Sequence, residues 1–357
     1  MKLLSVIIVS YNVRDYLWQC LFSLEKALKD IDADVWIVDN HSNDDTVAYI
    51  KESFPDVHII ANRHNMGFAR ANNMAIKKSE GRFVLLLNPD TIVGNTTMKE
   101  CLSFIDAHED AGAVGVRMLQ TDGRDANESR RGVPDPMTSF YKIIGMCKHF
   151  PKNHRFAHYY MSYLSWDSAQ QIEIVSGAFC MLRRAALDKV GLLDEDFFMY
   201  GEDIDLSYRI LKGGYHNYYL PSRILHYKGE STVKSSFRYV HVFYEAMLIF
   251  FRKHYHNQIF LLSIPIKTAI YVKAFFALIG LVNGFIKHSL GFFNPLKKKV
   301  EYIVFNADEM TFDEMLMKIS KSDHTKSFAV YYPKNQKIIT HEGVYDNVDS
   351  VDEFNKR

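Results

Sequence analysis

The chain has 357 residues and nearly balanced charge, with 43 Lys and Arg residues against 42 Asp and Glu residues. A general nucleic-acid-binding protein would show a basic excess or a basic stripe, so the balanced charge argues against that class. The four cysteines are scattered without the spacing of a zinc site, so we expect reduced, buried thiols in a cytosolic protein.

The first ninety residues alternate apolar runs with helical patterns. Runs rich in Val, Ile and Leu predict strands at residues 3–10, 34–40, 57–62 and 83–88, and the intervening patterns predict helices at 14–29, 44–53 and 67–79. Apolar strands separated by helices are typical of a mainly parallel sheet with helices on both faces, that is, an α/β fold. The first run also resembles a signal peptide, but it lacks a cleavage site and ends in Ser10, Tyr11 and Asn12, which favours a buried strand.

The rest of the chain is less regular. We predict strands at 113–119 and 173–184, a polar loop at 120–136, a helix at 184–190 and a small α/β tail with strands at 301–305, 327–332 and 337–341 and a helix at 311–320. The predicted organisation is an α/β domain at 1–255, an apolar helical segment at 256–296 and the tail at 297–357, whose role the sequence does not indicate.

The most apolar tract covers residues 259–293. Lys267, Lys273 and Lys287 interrupt it, so its uncharged pieces are short for a helix that spans a bilayer. Two interpretations stay open: an amphipathic helix pair lying in the plane of a membrane surface, or a helical hairpin packed on the domain.

Polar residues follow the predicted strands at their carboxyl ends. Pro89 has no backbone N–H to extend a strand ladder, so Asp90 should lie just beyond the strand end, where open α/β sheets bind ligands. Asp39 ends the second strand, and it either contacts a ligand or caps the next helix. No Gly-x-Gly-x-x-Gly fingerprint or P-loop is present in the sequence.

Seven segments occur in one order: "VIIVSYN", "VDNHSNDDT", "NMGFARANN", "LLLNPD", "SGAFCMLRR", "FFMYGEDIDLSYR" and "HYKGES". Together they resemble the family 2 glycosyltransferases, which are inverting enzymes of the GT-A type that use nucleotide-diphosphate sugars. The "LLLNPD" and "GEDIDLSYR" segments look most like the branch that contains bacterial rhamnosyltransferases. The resemblance implies a GT-A (Rossmann-like) catalytic domain, followed here by the helical segment and the tail.

The resemblance also implies a set of ligand-binding residues. For the nucleotide sugar the set is Ser10, Tyr11, Asn12, Asp39, Asn65, Gly67, Asn72, Asn88, Asp90 and Gly177. Asp39 would contact the base, and Asp90 would hold Mg²⁺ or Mn²⁺ on the diphosphate, with His226 as a second metal ligand. Asn88 replaces the first acid of the usual Asp-x-Asp element, which leaves strict metal dependence open. His226 could instead be a structural hydrogen-bonding residue.

The acidic start of the "GEDIDLSYR" helix provides the candidate catalytic groups. We assign the general base to Asp203, with Glu202 as its substitute or as a group that orients the acceptor. Acids in a first helical turn also complement the helix dipole, which is explanation enough for Asp205. Arg130 and Arg131 would either help stabilise the leaving diphosphate or form part of a solvated loop.

These expectations add up to an inverting glycosyltransferase. It would move a sugar from a dTDP- or UDP-linked donor to a hydroxyl of a surface or lipid-linked glycan, in the cytoplasm and peripherally on the inner face of the membrane. The alternatives are a sugar-1-phosphate nucleotidyltransferase, which would carry a Gly-rich loop that "SYNVRDY" lacks, and a non-catalytic glycan- or nucleotide-binding scaffold.

Overall fold

The computed structural model describes residues 2–227, 237–255 and 300–356. The apolar tract at 259–293 and the end of the "HYKGES" segment lie outside the described residues. The strands are β1 (Leu4–Ser10), β2 (Ala33–Asp39), β3 (His58–Ala61), β4 (Phe83–Leu87), β5 (Thr91–Val93), β6 (Ala111–Leu119), β7 (Gln170–Ile172), β8 (Phe179–Arg183), β9 (His216–His226), β10 (Tyr302–Asn306), β11 (Ser327–Tyr332), β12 (Lys337–Ile339) and β13 (Val344–Tyr345). The helices are α1 (Arg14–Ala27), α2 (Thr46–Ser53), α3 (Phe68–Ile76), α4 (Thr97–Ala107), α5 (Pro136–Ile143), α6 (Met146–His149), α7 (Arg184–Val190), α8 (Glu202–Lys212), α9 (Phe237–His254), α10 (Phe312–Ser320) and α11 (Val351–Lys356).

The large sheet has the strand order β3-β2-β1-β4-β8-β6-β9-β5, with β7 paired to β9. Its first four strands are parallel, as the apolar runs predict, and β8 then pairs antiparallel to both β4 and β6. The carboxyl ends of β1, β2 and β4 therefore meet at one edge of the sheet.

Residues of β1 alternate between two apolar layers. Leu4, Val6 and Ile8 belong to the core cluster that includes α1 and α4, while Ile7 and Val9 belong to the cluster that includes α3 and α8. This two-sided burial confirms helices on both faces and explains why the middle of β1, residues 6–9, is entirely apolar.

The predicted strands and helices of the first ninety residues are confirmed to within a few residues. The prediction of a single strand at 173–184 is wrong, because β7 ends at Ile172 and β8 begins only at Phe179. The backbone between them turns through Ser176 and Gly177, and Phe179 N–H donates to Ser176 O at 3.2 Å.

The C-terminal strands form a separate four-stranded sheet, β10-β11-β12-β13. This tail packs directly on α1: Gln19 Nε2 donates to the Tyr332 hydroxyl at 2.8 Å, and Tyr16 donates its hydroxyl to Thr340 O at 2.8 Å. Trp18 lies edge-on to Tyr332 with ring centroids 5.0 Å apart. The tail and the large sheet therefore share one apolar core.

All four cysteines, Cys20, Cys101, Cys147 and Cys180, are buried and unpaired, as the sequence predicts. Within residues 2–227, 237–255 and 300–356, no helix combines the length and the apolar character needed to cross a bilayer.

Candidate active site

A cavity of about 470 Å³ opens at the carboxyl ends of the parallel strands. Residues from two parts of the chain line it. The strand-end wall consists of Tyr11, Asn40, Asn65, Asn88, Asp90 and His226. The α8 wall consists of Glu128, Arg131, Lys142, Tyr159, Tyr160, Tyr200, Glu202 and Asp203.

The structure brings eight of the predicted site residues to this cavity. They are Tyr11, Asn65, Asn88, Asp90, Gly177, Glu202, Asp203 and His226. Five other predicted site residues, Ser10, Asn12, Asp39, Gly67 and Asn72, do not line it.

Asp90 and His226 form one corner of the strand-end wall. Strand β9 ends at His226, which pairs with Thr91 of β5 and so lies beside Asp90. His226 Nε2 is 3.3 Å from Asp90 Oδ1 and 3.3 Å from Asn88 Nδ2. Tyr227 N–H also donates to the backbone oxygen of Asp90 at 3.0 Å, which holds the backbone of Asp90 against the end of β9.

The donor set of this corner fits a divalent cation that takes its other ligands from a diphosphate and water. One carboxylate, one imidazole and one amide suit Mg²⁺ or Mn²⁺, but they do not form an all-protein cage. Consistently, no group of three or more His, Cys, Asp or Glu side chains capable of holding a metal occurs in the described part of the chain.

Asp203 lies in the first turn of α8, where the backbone before the helix makes a sharp turn. Gly201 has φ +87°, and a Cβ added there would lie 3.0 Å from the Phe197 ring, so only glycine suits the position. Asp203 Oδ2 accepts hydrogen bonds from Arg131 Nη2 and from Gly177 N–H, the latter at 3.2 Å. These two donors fix the position of the Asp203 carboxylate at the cavity wall.

Arg131 keeps its charge at this position. Burial by itself lowers the pKa of Arg131, but the Asp203 carboxylate and smaller contributions outweigh that effect and hold the pKa above its usual value. Arg131 therefore supplies a permanent positive charge beside Asp203.

Glu202 is in a different electrostatic state. Its side chain is buried, and burial together with the neighbouring Asp203 charge raises the pKa of Glu202 to about 8. Glu202 Oε2 has no hydrogen-bond partner among the described residues. At neutral pH Glu202 is therefore a protonated acid and a hydrogen-bond donor, which fits an orienting group better than a substitute base.

Asn40 organises the strand-end wall. Its Nδ2 donates to Asn65 Oδ1 at 3.0 Å and to Gly67 O at 3.2 Å, and its Oδ1 accepts from Asn62 Nδ2 and Met66 N–H. This network holds the loop after β3 against the loop after β2. Sequence reasoning noted Asn40 at a strand end but did not assign it to the site.

Asp39, Asn12 and Ser42 bind one another. Asp39 accepts hydrogen bonds from the Ser42 N–H at 2.9 Å and from its hydroxyl, and Asn12 N–H donates to Ser42 Oγ at 2.9 Å. Asp39 does not cap α2, which begins at Thr46. Its assigned contact with the nucleotide base stays a prediction.

The remaining three predicted residues are buried or shielded. Ser10 and Asn72 are 0% and 1% exposed, and Asn72 Nδ2 donates to Phe68 O within α3. Gly67 has φ +83°, and a Cβ there would lie 2.6 Å from the backbone oxygen of Phe198. The close approach that requires glycine at this position is thus to another loop of the protein.

The two adjacent arginines have different environments. The Arg130 guanidinium stacks 3.5 Å from the centre of the Trp166 ring and donates to Leu164 O, and its side chain is 1% exposed. The solvated-loop interpretation is therefore wrong for Arg130, which packs in the interior. Arg131, one residue further, reaches Asp203.

Several lining residues were not assigned from sequence. Glu128, Lys142, Tyr159 and Tyr160 come from the irregular stretch after β6, and Tyr200 precedes α8. The mixture of aromatic and basic residues at 137–166 contains Lys142, Tyr159 and Tyr160 but predicts no particular contact. The aromatic "FFMYG" run, which suggests the wall of a sugar pocket, contains Tyr200, and no pattern indicates Glu128.

The sequence also matches models of known protein families. Residues 5–191, more than half of the chain, match the model of glycosyl transferase family 2, and residues 139–291 match glycosyl transferase family group 2. The chain is similar to the N-acetylglucosaminyl-diphospho-decaprenol L-rhamnosyltransferase of Mycobacterium tuberculosis, with 28% identity over 260 residues that cover 69% of this chain and 83% of the relative. It is 24% identical over 262 residues to rhamnosyltransferase WbbL of Escherichia coli K12, covering 66% of this chain and 91% of that one.

Among solved structures, TarS of Staphylococcus aureus aligns with a TM-score of 0.47 and 22% identity. The alignment covers 70% of this chain but only 39% of the TarS chain. The mainly parallel sheet with helices on both faces confirms the expected α/β fold, and the family match agrees with its GT-A type. The chain belongs to the family 2 glycosyltransferases and is a glycosyltransferase enzyme.

Proposed function

We propose that this enzyme transfers a sugar, L-rhamnose in the first instance, from a nucleotide-diphosphate donor to a hydroxyl of a lipid-linked glycan, with inversion at the anomeric carbon. The observation that carries the proposal is the Asp203 carboxylate, held by Arg131 and Gly177 in the same cavity as the Asp90–His226 corner.

Asp203 is the general base of the proposed reaction. An ionised carboxylate has about four acceptor positions on its two oxygens. Oδ2 binds Arg131 and Gly177, and Oδ1 accepts only the Ile204 N–H, at 2.8 Å, among the described residues. With 16% of its side chain exposed, Asp203 can still accept the proton of an acceptor hydroxyl.

The chemistry is a single displacement. The acceptor oxygen forms a bond to the anomeric carbon while its proton passes to Asp203. The bond from the anomeric carbon to the diphosphate oxygen breaks, and its electron pair leaves with the nucleoside diphosphate. Protonated Glu202 donates a hydrogen bond that orients the acceptor beside Asp203.

The donor binds at the strand-end wall. Asn65, held in place by Asn40, presents an amide group suited to a base or ribose, and Tyr11 adds a ring that is 36% exposed. Asp90, His226 and Asn88 would hold Mg²⁺ or Mn²⁺. When bound, the cation neutralises negative charge on the diphosphate.

The choice of sugar and acceptor follows the relatives. The M. tuberculosis protein is named for transfer of L-rhamnose to N-acetylglucosaminyl-diphospho-decaprenol, and the E. coli protein is also named a rhamnosyltransferase. A nucleotidyltransferase is disfavoured by the family match and by the missing Gly-rich loop after β1.

A donor panel tests the proposal. The purified full chain is incubated with dTDP-, UDP- or GDP-sugars and an N-acetylglucosaminyl-diphospho-lipid, with and without EDTA, and nucleotide release is measured. We expect acceptor-dependent release of dTDP or UDP, with a dTDP- or UDP-linked rhamnose as the preferred donor.

Parallel reactions without acceptor, and with a nucleoside triphosphate plus a sugar phosphate, serve as controls. No acceptor-dependent release with any donor would refute the proposed transfer. Release of pyrophosphate from the triphosphate mixture would instead identify a nucleotidyltransferase.

A further inference from the structure

An apolar stripe is exposed on α5 and continues past α6. Met137, Phe140, Ile144 and Phe150 are 51%, 47%, 51% and 48% exposed. They make up half of the eight large hydrophobic side chains that are exposed in the described part of the chain. Exposed apolar side chains are normally scattered singly over a surface, so four within one short stretch indicate an interaction site.

The stripe lies on one side of α5, and the cavity lies on the other. At 100° per residue, Met137, Phe140 and Ile144 fall within about 60° of one another around the helix axis. Lys142 points about 160° away from Ile144 on the same basis. Lys142 lines the cavity, with its Nζ 3.6 Å from the centre of the Tyr159 ring.

The segment that carries the stripe contains basic residues and no acidic ones. No Asp or Glu occurs from Pro136 to Trp166, a stretch that holds four Lys and Arg residues in a chain of net charge +1. Three of these, Lys148, Lys152 and Arg155, are exposed. Asp135, just before α5, is engaged in capping it and accepts from Thr138 N–H at 2.8 Å and from the Thr138 hydroxyl at 2.9 Å.

We propose that this docking face, composed of Met137, Phe140, Ile144, Phe150, Lys148, Lys152 and Arg155, binds the surface of a membrane that contains anionic phospholipids. Apolar residues on one side of a helix with Lys and Arg beside them insert at the boundary between headgroups and acyl chains. Each basic residue near such a surface adds to binding through the negative potential of the anionic headgroups.

The docking face also has a consequence for the site. Because α5 alone separates the stripe from Lys142, docking would bring that side of the cavity to the bilayer. A sugar attached to a membrane lipid would then lie next to the α8 wall. This consequence rests on the proposed lipid-linked acceptor, whereas the binding itself does not.

Vesicle binding of the full chain tests the electrostatic part. The variant Lys148→Glu/Lys152→Glu is compared with the parent on vesicles of phosphatidylcholine alone and on vesicles that also contain phosphatidylglycerol. We expect partition onto the anionic vesicles to fall on the order of tenfold or more, with little change on the neutral ones. The matched control Lys318→Glu/Lys321→Glu, which changes exposed lysines at the end of α10, should behave as the parent does.

The apolar part is tested by Phe140→Ser/Ile144→Ser against the control Met317→Ser, an exposed methionine of α10. We expect weaker partition onto both kinds of vesicle for the α5 variant only. In a Phe140→Trp variant, brominated phospholipids should quench the added fluorescence. Contributions from other segments are common to all variants, so the ratios to the parent isolate the docking face.

Unchanged partition of both α5 and α6 variants, or no quenching in Phe140→Trp, would overturn the proposal. A large loss of thermal stability in Phe140→Ser/Ile144→Ser would show that the face is covered by protein. Conversion of a dimeric parent to a monomer by the same change would show that the face binds a second copy of the chain. The loss of stability and the conversion to a monomer would each overturn the proposal of membrane binding. The experiment contains no sugar nucleotide or acceptor, so its failure would leave the proposed transfer reaction untouched.

Discussion

The two walls of the cavity are built from different kinds of residue. The strand-end wall carries mainly neutral amides, such as Asn40 and Asn65, fixed by parallel strands behind them. The α8 wall carries charges and aromatic rings, with Asp203 paired to Arg131 and Glu202 held as a protonated acid. The proposed reaction gives the two walls different roles: the strand-end wall recognises the donor, and the α8 wall activates the acceptor.

The largest effect should follow from Asp203→Asn. An amide cannot take the acceptor proton, so we expect transfer to fall by about 10²- to 10⁴-fold, measured as kcat of nucleotide release with saturating donor. The control is Asp205→Asn, in the same helical turn. Asp205 binds Arg209 at 2.7 Å and His254 at 2.7 Å, so its loss should lower stability rather than the rate of the folded enzyme. Equal rate losses in the two variants would contradict the assignment of Asp203 as the general base.

The second effect concerns the C-terminal tail, which packs against the large sheet that carries the strand-end wall. The buried Phe312 ring packs edge-on to Phe22 of α1, with centroids 6.2 Å apart, and joins the tail to the catalytic core. Phe312→Ala should lower the free energy of unfolding by about 3–5 kcal/mol in urea titrations. Ile303→Ala, at an exposed position of β10, should change it by no more than about 0.5 kcal/mol. If Phe312→Ala changed the free energy of unfolding as little as Ile303→Ala does, the tail would not share an apolar core with the large sheet.

The third effect tests the protonated acid of the α8 wall. Folded Glu202 holds its proton up to a pKa of about 8, whereas the unfolded group releases it near 4.5. Between these values the folded state binds more protons, so this group makes stability fall as pH rises. Glu202→Gln should remove that slope and be more stable than the parent at pH 8 by a few kcal/mol, with no difference near pH 4. Parallel stability curves for parent and variant would show that Glu202 ionises normally.

The smallest effect concerns the charge of the strand-end wall. Asn88→Asp adds a second carboxylate beside Asp90 and should raise the apparent affinity for Mn²⁺ by about tenfold, because ligand charge tunes cation affinity. Asp90→Ala should weaken it by at least about tenfold. Both are measured as the Mn²⁺ dependence of nucleotide release. The same Mn²⁺ dependence in the parent and both variants would show that Asn88 and Asp90 do not bind the metal.

The strand-end wall was largely predictable. Continuous apolar runs fix the parallel strands, and the residues that follow them, including Asn88 and Asp90, must then meet at one sheet edge. Sequence order alone does not reveal which polar groups of that edge bind the loops themselves. Asp39 and Asn12 illustrate this: the structure shows both of them bound to Ser42, and their assignment to the nucleotide stays a prediction.

In the α8 wall, Glu202 and Asp203 were predictable because acids precede a periodic helix, whereas a site role for Arg131 was one of two alternatives left open. Their partners come from a stretch without periodicity, so neither hydrophobic pattern nor motif places them. Arg130 and Arg131 show the limit: neighbouring side chains in extended backbone point in opposite directions, and only the fold decides which reaches the cavity. The contact of α1 with the tail did leave a signal, because Trp18 and Phe22 form an i, i+4 aromatic pair on that helix.

The division between the two walls is tested most directly by measuring nucleotide affinity and kcat together in Asp203→Asn and Asn65→Ala. The account predicts that Asp203→Asn loses its turnover and keeps the parent's affinity for the nucleoside diphosphate. It predicts the reverse for Asn65→Ala, with weaker binding of the nucleotide and near-normal turnover at saturating donor. Joint loss of affinity and turnover in both variants would contradict it, and so would normal turnover in Asp203→Asn.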